Sequence, residues 1–219
     1  MSPLPHLAVL LSGYLLGSIP TGWLVGRWLA GVDLRQEGSG STGATNVLRV
    51  VGRGPALVVF LVDVGKGTLA VTLARAVLEA HGGSGGWQTD AWVVAAGLAA
   101  LAGHIWPIWL KGKGGKAVAT SLGMLLGLAW PVALACLGIF ALVLSLSRIV
   151  SLGSVVAALA LPPLMLAWFG KGDLRLPYLA LALLCSVLVV WRHRANLQRL
   201  LAGTEPRIGQ KTPSSRPSP

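Results

Sequence analysis

Three short stretches of this 219-residue chain carry residue types suited to binding phosphate: GSGSTGATNVLR at 38–49, KGKGGKAVATSLG at 111–123 and WRHRANLQRLLAGTE at 191–205. In the first, Gly38, Gly40 and Gly43 permit backbone conformations closed to other residues, so amide N–H groups can converge on an anion. Ser39, Ser41, Thr45 and Asn46 add short polar side chains, and Arg49 adds a planar fork matched to phosphate oxygens. The residues ATNVLR can open a helix whose N-terminus faces the anion. The spacing GxxxxGK[ST] is absent, so this is not a Walker-type loop. A flexible polar connection is the plainer reading of such a run taken alone.

In the second stretch Gly112, Gly114 and Gly115 alternate with Lys111, Lys113 and Lys116 immediately before an apolar run. Lys116 is expected in the first turn of a helix, where a cation opposes the macrodipole unless an anion sits beside it. Anchoring at the membrane face accounts for Lys111 and Lys113 but not for the interleaved glycines. In the third stretch His193 and Asn196, spaced i and i+3, share one helix face just past the end of the last apolar run. Glu205, the lone carboxylate of the C-terminal segment, is expected to brace it.

These polar islands sit in a chain that is 54% hydrophobic and 11% charged, with a mean hydropathy of +0.71. That composition belongs to a polytopic membrane protein and excludes a soluble domain. Charge-poor runs mark helical spans at 7–26, 91–110, 117–147, 149–170 and 176–191, each about long enough to cross a hydrocarbon core of ~30 Å at ~1.5 Å per residue. A further span at 55–79 contains Asp63, Lys66 and Arg75. Asp63 and Lys66, at i and i+3, form a neutralising pair or line a substrate cavity. His104 either braces helix packing or borders the polar site. The first run is read as a retained span, because it lacks a basic leader and a small-residue cleavage site. The pairs Gly13/Gly17, Gly22/Gly26 and Gly123/Gly127 suit close helix packing in lipid, and most of the Trp residues suit its boundary. Cys136 and Cys185 lie inside apolar runs without ligand spacing, which argues against a disulfide or metal framework.

The run 117–147 is one long helix or two short ones turning at Trp130–Pro131. Charge decides between them. With two helices and seven spans, Arg27, Arg35, Arg49, Arg53, Lys111, Lys113, Lys116, Arg148 and every cation from Arg192 onward share one side, leaving Lys171 and Arg175 opposite. With one helix the segment from Arg148 changes side and the asymmetry disappears. Since cations stay in the cytoplasm, an all-α polytopic membrane protein is expected, with seven transmembrane helices, an outside N-terminus and a cytoplasmic C-terminus. All three polar stretches then face the cytoplasm. The net charge of +11 is thereby assigned to orientation and anionic headgroups, not nucleic acid. Residues 1–206 read as a single integral membrane domain and 207–219 as a disordered basic Pro/Ser tail.

Taken together, YLLGSIPTG, GSGSTGATNVLR, DVGKG, GHIWPIWLKGKGGKAVATSLG and RHRANLQRLLAGTE, in that order, resemble the acyl-phosphate-dependent glycerol-3-phosphate acyltransferases of bacteria, the PlsY family, from Tyr14 to Arg207. The chain departs from the family pattern at Ser41–Thr42. The resemblance implies a seven-helix enzyme of the bacterial inner membrane that transfers a fatty acyl group from acyl phosphate to the 1-hydroxyl of glycerol 3-phosphate, giving lysophosphatidic acid and phosphate in phospholipid biosynthesis. It places functional positions on Ser39, Thr45, Asn46, Arg49, Gly112, Gly114, Gly115, Lys116, His193 and Asn196. Arg49, Lys116 and the glycine-loop amides then neutralise and align phosphates. Ser39, Thr45 and Asn196 position substrate or the developing oxyanion, and His193 acts as base or orients glycerol 3-phosphate while a substrate phosphate takes the proton. Membrane lipids are the expected surroundings, a monomer the expected state, and no cofactor or metal is called for. The HxxxxD signature of the other large glycerolipid acyltransferase class is missing: Leu11, Gly86, Trp109 and Gln198 stand five residues after the four histidines. Neither cysteine is placed to form an acyl-enzyme, so direct transfer is expected. The competing reading is a transporter or channel for a phosphorylated metabolite, which would need polar residues continuing through the spans.

Overall fold

The computed structural model describes residues 3–83, 85–169 and 176–210. The regular structure of the described residues is helical: α1 (Leu4–Ser18), α2 (Thr21–Ala30), α3 (Ala44–Val50), α4 (Arg53–Ala80), α5 (Trp87–Ile105), α6 (Val118–Ser147), α7 (Val150–Phe169), α8 (Leu176–Arg192) and α9 (Arg194–Leu201), with turns and loops between them. Among the described residues five stretches are long and apolar enough to cross a membrane, namely Leu4–Ala30, Arg53–Ala80, Trp87–Leu110, Val118–Ser147 and Val150–Phe169, and α8 with α9 forms a further candidate bent by 58°. Lys171, Arg175 and the tail from residue 211 lie outside the described residues. The described start of that tail turns back on the bundle, where the Ile208 N–H donates to the Arg148 carbonyl at 2.8 Å.

The expected span 7–26 is interrupted between α1 and α2. Pro20 lacks an N–H and its ring collides with the carbonyl four residues back, so the helical ladder cannot continue. The freed Ile19 carbonyl accepts from Lys66 Nζ at 3.2 Å, which uses the break to seat a lysine inside the bundle.

Close contact between helices follows the expected glycines, since helices in lipid associate by packing and not by water exclusion. A Cβ on Gly13 or Gly17 of α1 would come within 2.5 or 2.0 Å of carbonyl oxygens on α5. On Gly123 of α6 it would meet the Val64 carbonyl of α4 at 1.8 Å.

Helix α6 is not straight. Ala129 has non-helical dihedrals (φ −154°, ψ 72°) two residues before Pro131. Val118, Ala119 and Phe140 nevertheless line one cavity, although a straight helix would hold Ala119 and Phe140 ~30 Å apart. The two halves therefore fold back on each other, and the chain at Arg148 returns to the end of the bundle that carries Lys116.

Tyr178 of α8 sits between Arg75 of α4 and Asp90 of α5, its hydroxyl accepting from Arg75 Nη2 and donating to Asp90 Oδ1, both at 2.9 Å. Arg75 Nη2 also lies 3.3 Å from Asp90 Oδ1, so Arg75 has a carboxylate partner where α4 ends and α5 begins. Cys136 and Cys185 are buried free thiols. Trp28, Trp87, Trp109, Trp130 and Trp168 are exposed on the outer surface of the bundle.

Candidate active site

The three polar stretches meet at one end of the bundle around a cavity of about 130 Å³, roughly ten times the space one water needs. Ser39, Thr45, Asn46, Arg49, Lys116, His193, Asn196 and Glu205 all line it. Arg49 comes from α3, Lys116 from the loop ahead of α6, and His193 and Asn196 from the bend into α9. Segments 77 or more residues apart are tied directly, as when Arg192 Nη2 donates to the Gly115 carbonyl at 3.0 Å.

The first loop is shaped by Asn46. This side chain is 1% exposed and wholly occupied: Oδ1 accepts the Ser39 N–H at 2.8 Å, while Nδ2 is shared among the carbonyls of Leu34, Glu37 and Ser41. Asn46 therefore holds the loop from within and offers no free donor to a ligand. Ser39 is exposed at the cavity mouth and Thr45 is half-buried on its wall.

The glycines of the second loop do something other than expected. The Gly114 N–H donates to the Ile105 carbonyl at 3.1 Å, Gly115 to His104 at 3.0 Å and Gly112 to Pro107 at 3.1 Å. With these amides spent on carbonyls, Gly112, Gly114 and Gly115 are not an anion nest. Two of them are packing glycines: a Cβ on Gly114 would sit 2.1 Å from the His104 carbonyl, and one on Gly115 2.1 Å from His104 Nε2. Lys116 also stands ahead of the helix rather than in its first turn, because Ala117 adopts a left-handed conformation (φ 59°) as the N-cap of α6.

Lys116, Asn196 and Glu205 form a relay. Lys116 Nζ donates to Asn196 Oδ1, and Asn196 Nδ2 donates to Glu205 Oε1 at 2.6 Å, so the amide orientation is fixed by a cation on one side and a carboxylate on the other. Glu205 Oε1 also accepts from Ser151 Oγ at 2.7 Å, and Oε2 from Arg199 Nε at 2.8 Å. Burial opposes ionisation of Glu205, but the bonds from Asn196, Ser151 and Arg199 outweigh it and hold the carboxyl below its ordinary range. Glu205 is a brace, as its sequence position suggests, but one built into the cavity wall. Ser151 gave no sequence signal, lying in a charge-free run.

Burial, with Arg199, Arg49 and Arg192 nearby, pulls Lys116 down to about 8 against the opposing pull of Glu205. His193 is 3% exposed, and burial together with Lys116 lowers it to about 4. Its Nδ1 lies 2.8 Å from the Val189 carbonyl. A carbonyl only accepts, so Nδ1 carries the hydrogen and Nε2 keeps its lone pair. Arg199 is set against Glu205, and Lys66 is set against Asp63 at 2.8 Å. Arg49 and Lys116 remain, and no ion pair within the described residues compensates either, so the cavity calls for anions.

An apolar cleft of about 100 Å³ continues from the cavity, sharing Phe60, Val118, Ala119, Phe140 and Ser154 with it and reaching Leu125, Leu161 and Cys185. Anion-binding and apolar volumes thus adjoin.

The fold and site define a class: a helical membrane protein whose cationic cavity opens into an apolar cleft, fitted to phosphate-bearing amphiphiles. The family model described as glycerol-3-phosphate acyltransferase matches residues 7–203. A glycerol-3-phosphate acyltransferase of Prochlorococcus marinus (strain MIT 9313) is 66% identical over 207 residues, covering 94% of this chain and 97% of that protein. One from Synechococcus sp. (strain CC9902) is 64% identical over 209 residues, covering 95% and 98%. The crystal structure of PlsY, an integral membrane glycerol 3-phosphate acyltransferase, in its glycerol 3-phosphate form superposes with a TM-score of 0.81 at 35% identity over 93% of this chain and 96% of that one. Its lysophosphatidic acid form gives 0.77 at 34% over 93% and 95%. The chain belongs to the glycerol-3-phosphate acyltransferase family.

Proposed function

We propose that this protein transfers a fatty acyl group from acyl phosphate to the 1-hydroxyl of sn-glycerol 3-phosphate, giving lysophosphatidic acid and phosphate, at the cytoplasmic face of the bacterial inner membrane. One observation carries the reading: Arg49 and Lys116, which no ion pair among the described residues compensates, share a cavity that runs on into an apolar cleft. Two phosphates and one acyl chain match that pairing of charge and surface. Family membership and the PlsY structures with glycerol 3-phosphate and lysophosphatidic acid support the acceptor and product.

In the proposed reaction the glycerol oxygen attacks the acyl carbonyl carbon, the bond from that carbon to the phosphate oxygen breaks, and phosphate leaves. The leaving group is good, so alignment of two anions is the main task. Arg49 and Lys116 neutralise the phosphates, Ser39 positions them at the mouth and Thr45 at the wall, and Asn196 holds Lys116 in place. His193 Nε2 accepts a hydrogen bond from the attacking hydroxyl. With His193 lowered to about 4, a proton left there at pH 7 would cost roughly 4 kcal/mol. The departing phosphate is the better final acceptor. Direct transfer without an acyl-enzyme is the step proposed, since both thiols are buried and neither lines the cavity.

We further infer seven crossings, with the N-terminus outside and the C-terminus cytoplasmic, the two halves of α6 serving as separate spans. The return of the chain at Arg148 to the Lys116 end supports this. One chain supplies every site residue, in keeping with a monomeric enzyme. Purified protein in detergent, given acyl phosphate and glycerol 3-phosphate, should release phosphate and lysophosphatidic acid in equal amounts. Phosphate release that ignores glycerol 3-phosphate, or none from folded protein, would refute the reading.

A further inference from the structure

Asp63 and His104 also line the cavity, although the chemistry above leaves them without a part. Two carboxylates face this cavity among the described residues, and they differ in how they are occupied. Glu205 has both oxygens taken by Ser151, Asn196 and Arg199. The contacts of Asp63, with Lys66 Nζ at 2.8 Å and His104 Nδ1 at 3.7 Å, are both made through Oδ1. Neither approach makes a hydrogen bond of good geometry to Oδ1, so the Asp63 carboxylate keeps accepting capacity for a ligand.

A carboxylate repels phosphate, so this wall cannot receive either phosphate group. It suits a neutral donor, and a hydroxyl is the donor that a polyol phosphate provides. Lys66 lies 2.8 Å from the buried carboxylate and fixes its place, and is itself held by the Ile19 carbonyl at the α1–α2 break. Of the two hydroxyls of glycerol 3-phosphate, the primary one must lie toward His193 and the apolar cleft for transfer. The secondary hydroxyl remains.

We propose that Asp63, clamped by Lys66 beside His104, is a specificity-determining residue that accepts a hydrogen bond from the secondary hydroxyl of the acceptor while Arg49 and Lys116 hold its phosphate. This rests on the acceptor assignment above. A site built to bond a hydroxyl discriminates against the analogue that lacks it, because the buried acceptor is then left unpaired.

The test compares glycerol 3-phosphate with 3-hydroxypropyl phosphate, which keeps the phosphate and primary hydroxyl but lacks the secondary one. Wild-type protein should favour glycerol 3-phosphate in kcat/KM by at least about tenfold. Asp63→Asn should lose that preference, mainly through a higher KM for glycerol 3-phosphate. The double variant Asp63→Asn/Lys66→Met should do the same without leaving the lysine charge buried alone. Equal wild-type use of both acceptors overturns the proposal and needs no variant to fold. A preference that survives in either variant, or KM values that rise equally for both acceptors, also overturns it. Failure of the wild type to acylate either compound would instead sink the acceptor assignment on which this rests.

Discussion

Replacing Lys116 by Ala removes a cation that is half-buried, bonded to Asn196 and not compensated by any ion pair among the described residues. At ~4 Å and an effective dielectric near 20, a unit charge and a phosphate attract by about 4 kcal/mol, and one charge-assisted hydrogen bond contributes about 1.5–3 kcal/mol. A loss of about 2–4 kcal/mol corresponds to a fall of roughly 30- to 1,000-fold in kcat/KM. Because the contact exists before and during transfer, the loss should appear chiefly as a raised KM. Initial rates of phosphate release, with acyl phosphate and glycerol 3-phosphate varied in turn, measure it and also reveal which phosphate meets the lysine. Lys116→Met keeps most of the aliphatic volume and should behave like Lys116→Ala. KM values unchanged for both substrates in folded Lys116→Ala would refute the binding role.

Other perturbations follow from the same geometry. Lys116 titrates near 8 against an ordinary 10.5, so kcat/KM should fall as pH rises past about 8 while kcat, set by the substrate-bound form, holds. The folded state binds fewer protons there than the unfolded one, so stability should rise, not fall, between pH 8 and 10.5, and thermal melts separate lost activity from unfolding. Lys116→Arg should abolish the basic limb. Glu205→Gln weakens or inverts bonds to Ser151, Asn196 and Arg199 and should lower stability by about 1–3 kcal/mol for each buried bond lost, read as a lower Tm, together with activity; a Tm equal to wild type would deny Glu205 its bracing role. Gly123→Ala forces a Cβ to within 1.8 Å of the Val64 carbonyl and should destabilise the protein by about 1–3 kcal/mol in thermal melts, with KM nearly unchanged.

The site was legible where its residues contrast with an apolar chain. Arg49, Lys116, His193 and Asn196 stood out because charged and amide groups are scarce in this sequence, and the charge asymmetry alone anticipated a turn within 117–147. What remained hidden shares its letters with something else. Gly114 and Gly115 read as an anion-binding turn, but glycine also serves where a backbone must touch an imidazole, and only coordinates separate the two uses. Asn46 reads as a ligand because an amide suits phosphate, yet its four loop contacts are all local. Ser151 and Ser154 carry no charge and no motif, and they join the site only because α6 doubles back. Lys116 leaves the helix through a left-handed Ala117, a conformation that alanine does not announce.

The central claim is that two phosphorylated molecules occupy this cavity together. Calorimetric titration of glycerol 3-phosphate into the purified protein, with and without a saturating non-transferable acyl phosphonate, tests it most directly. The account predicts that glycerol 3-phosphate still binds with the phosphonate present, with a Kd changed by no more than a few fold. A Kd that climbs in proportion to phosphonate concentration would mean that the two compete for one place, and would contradict it.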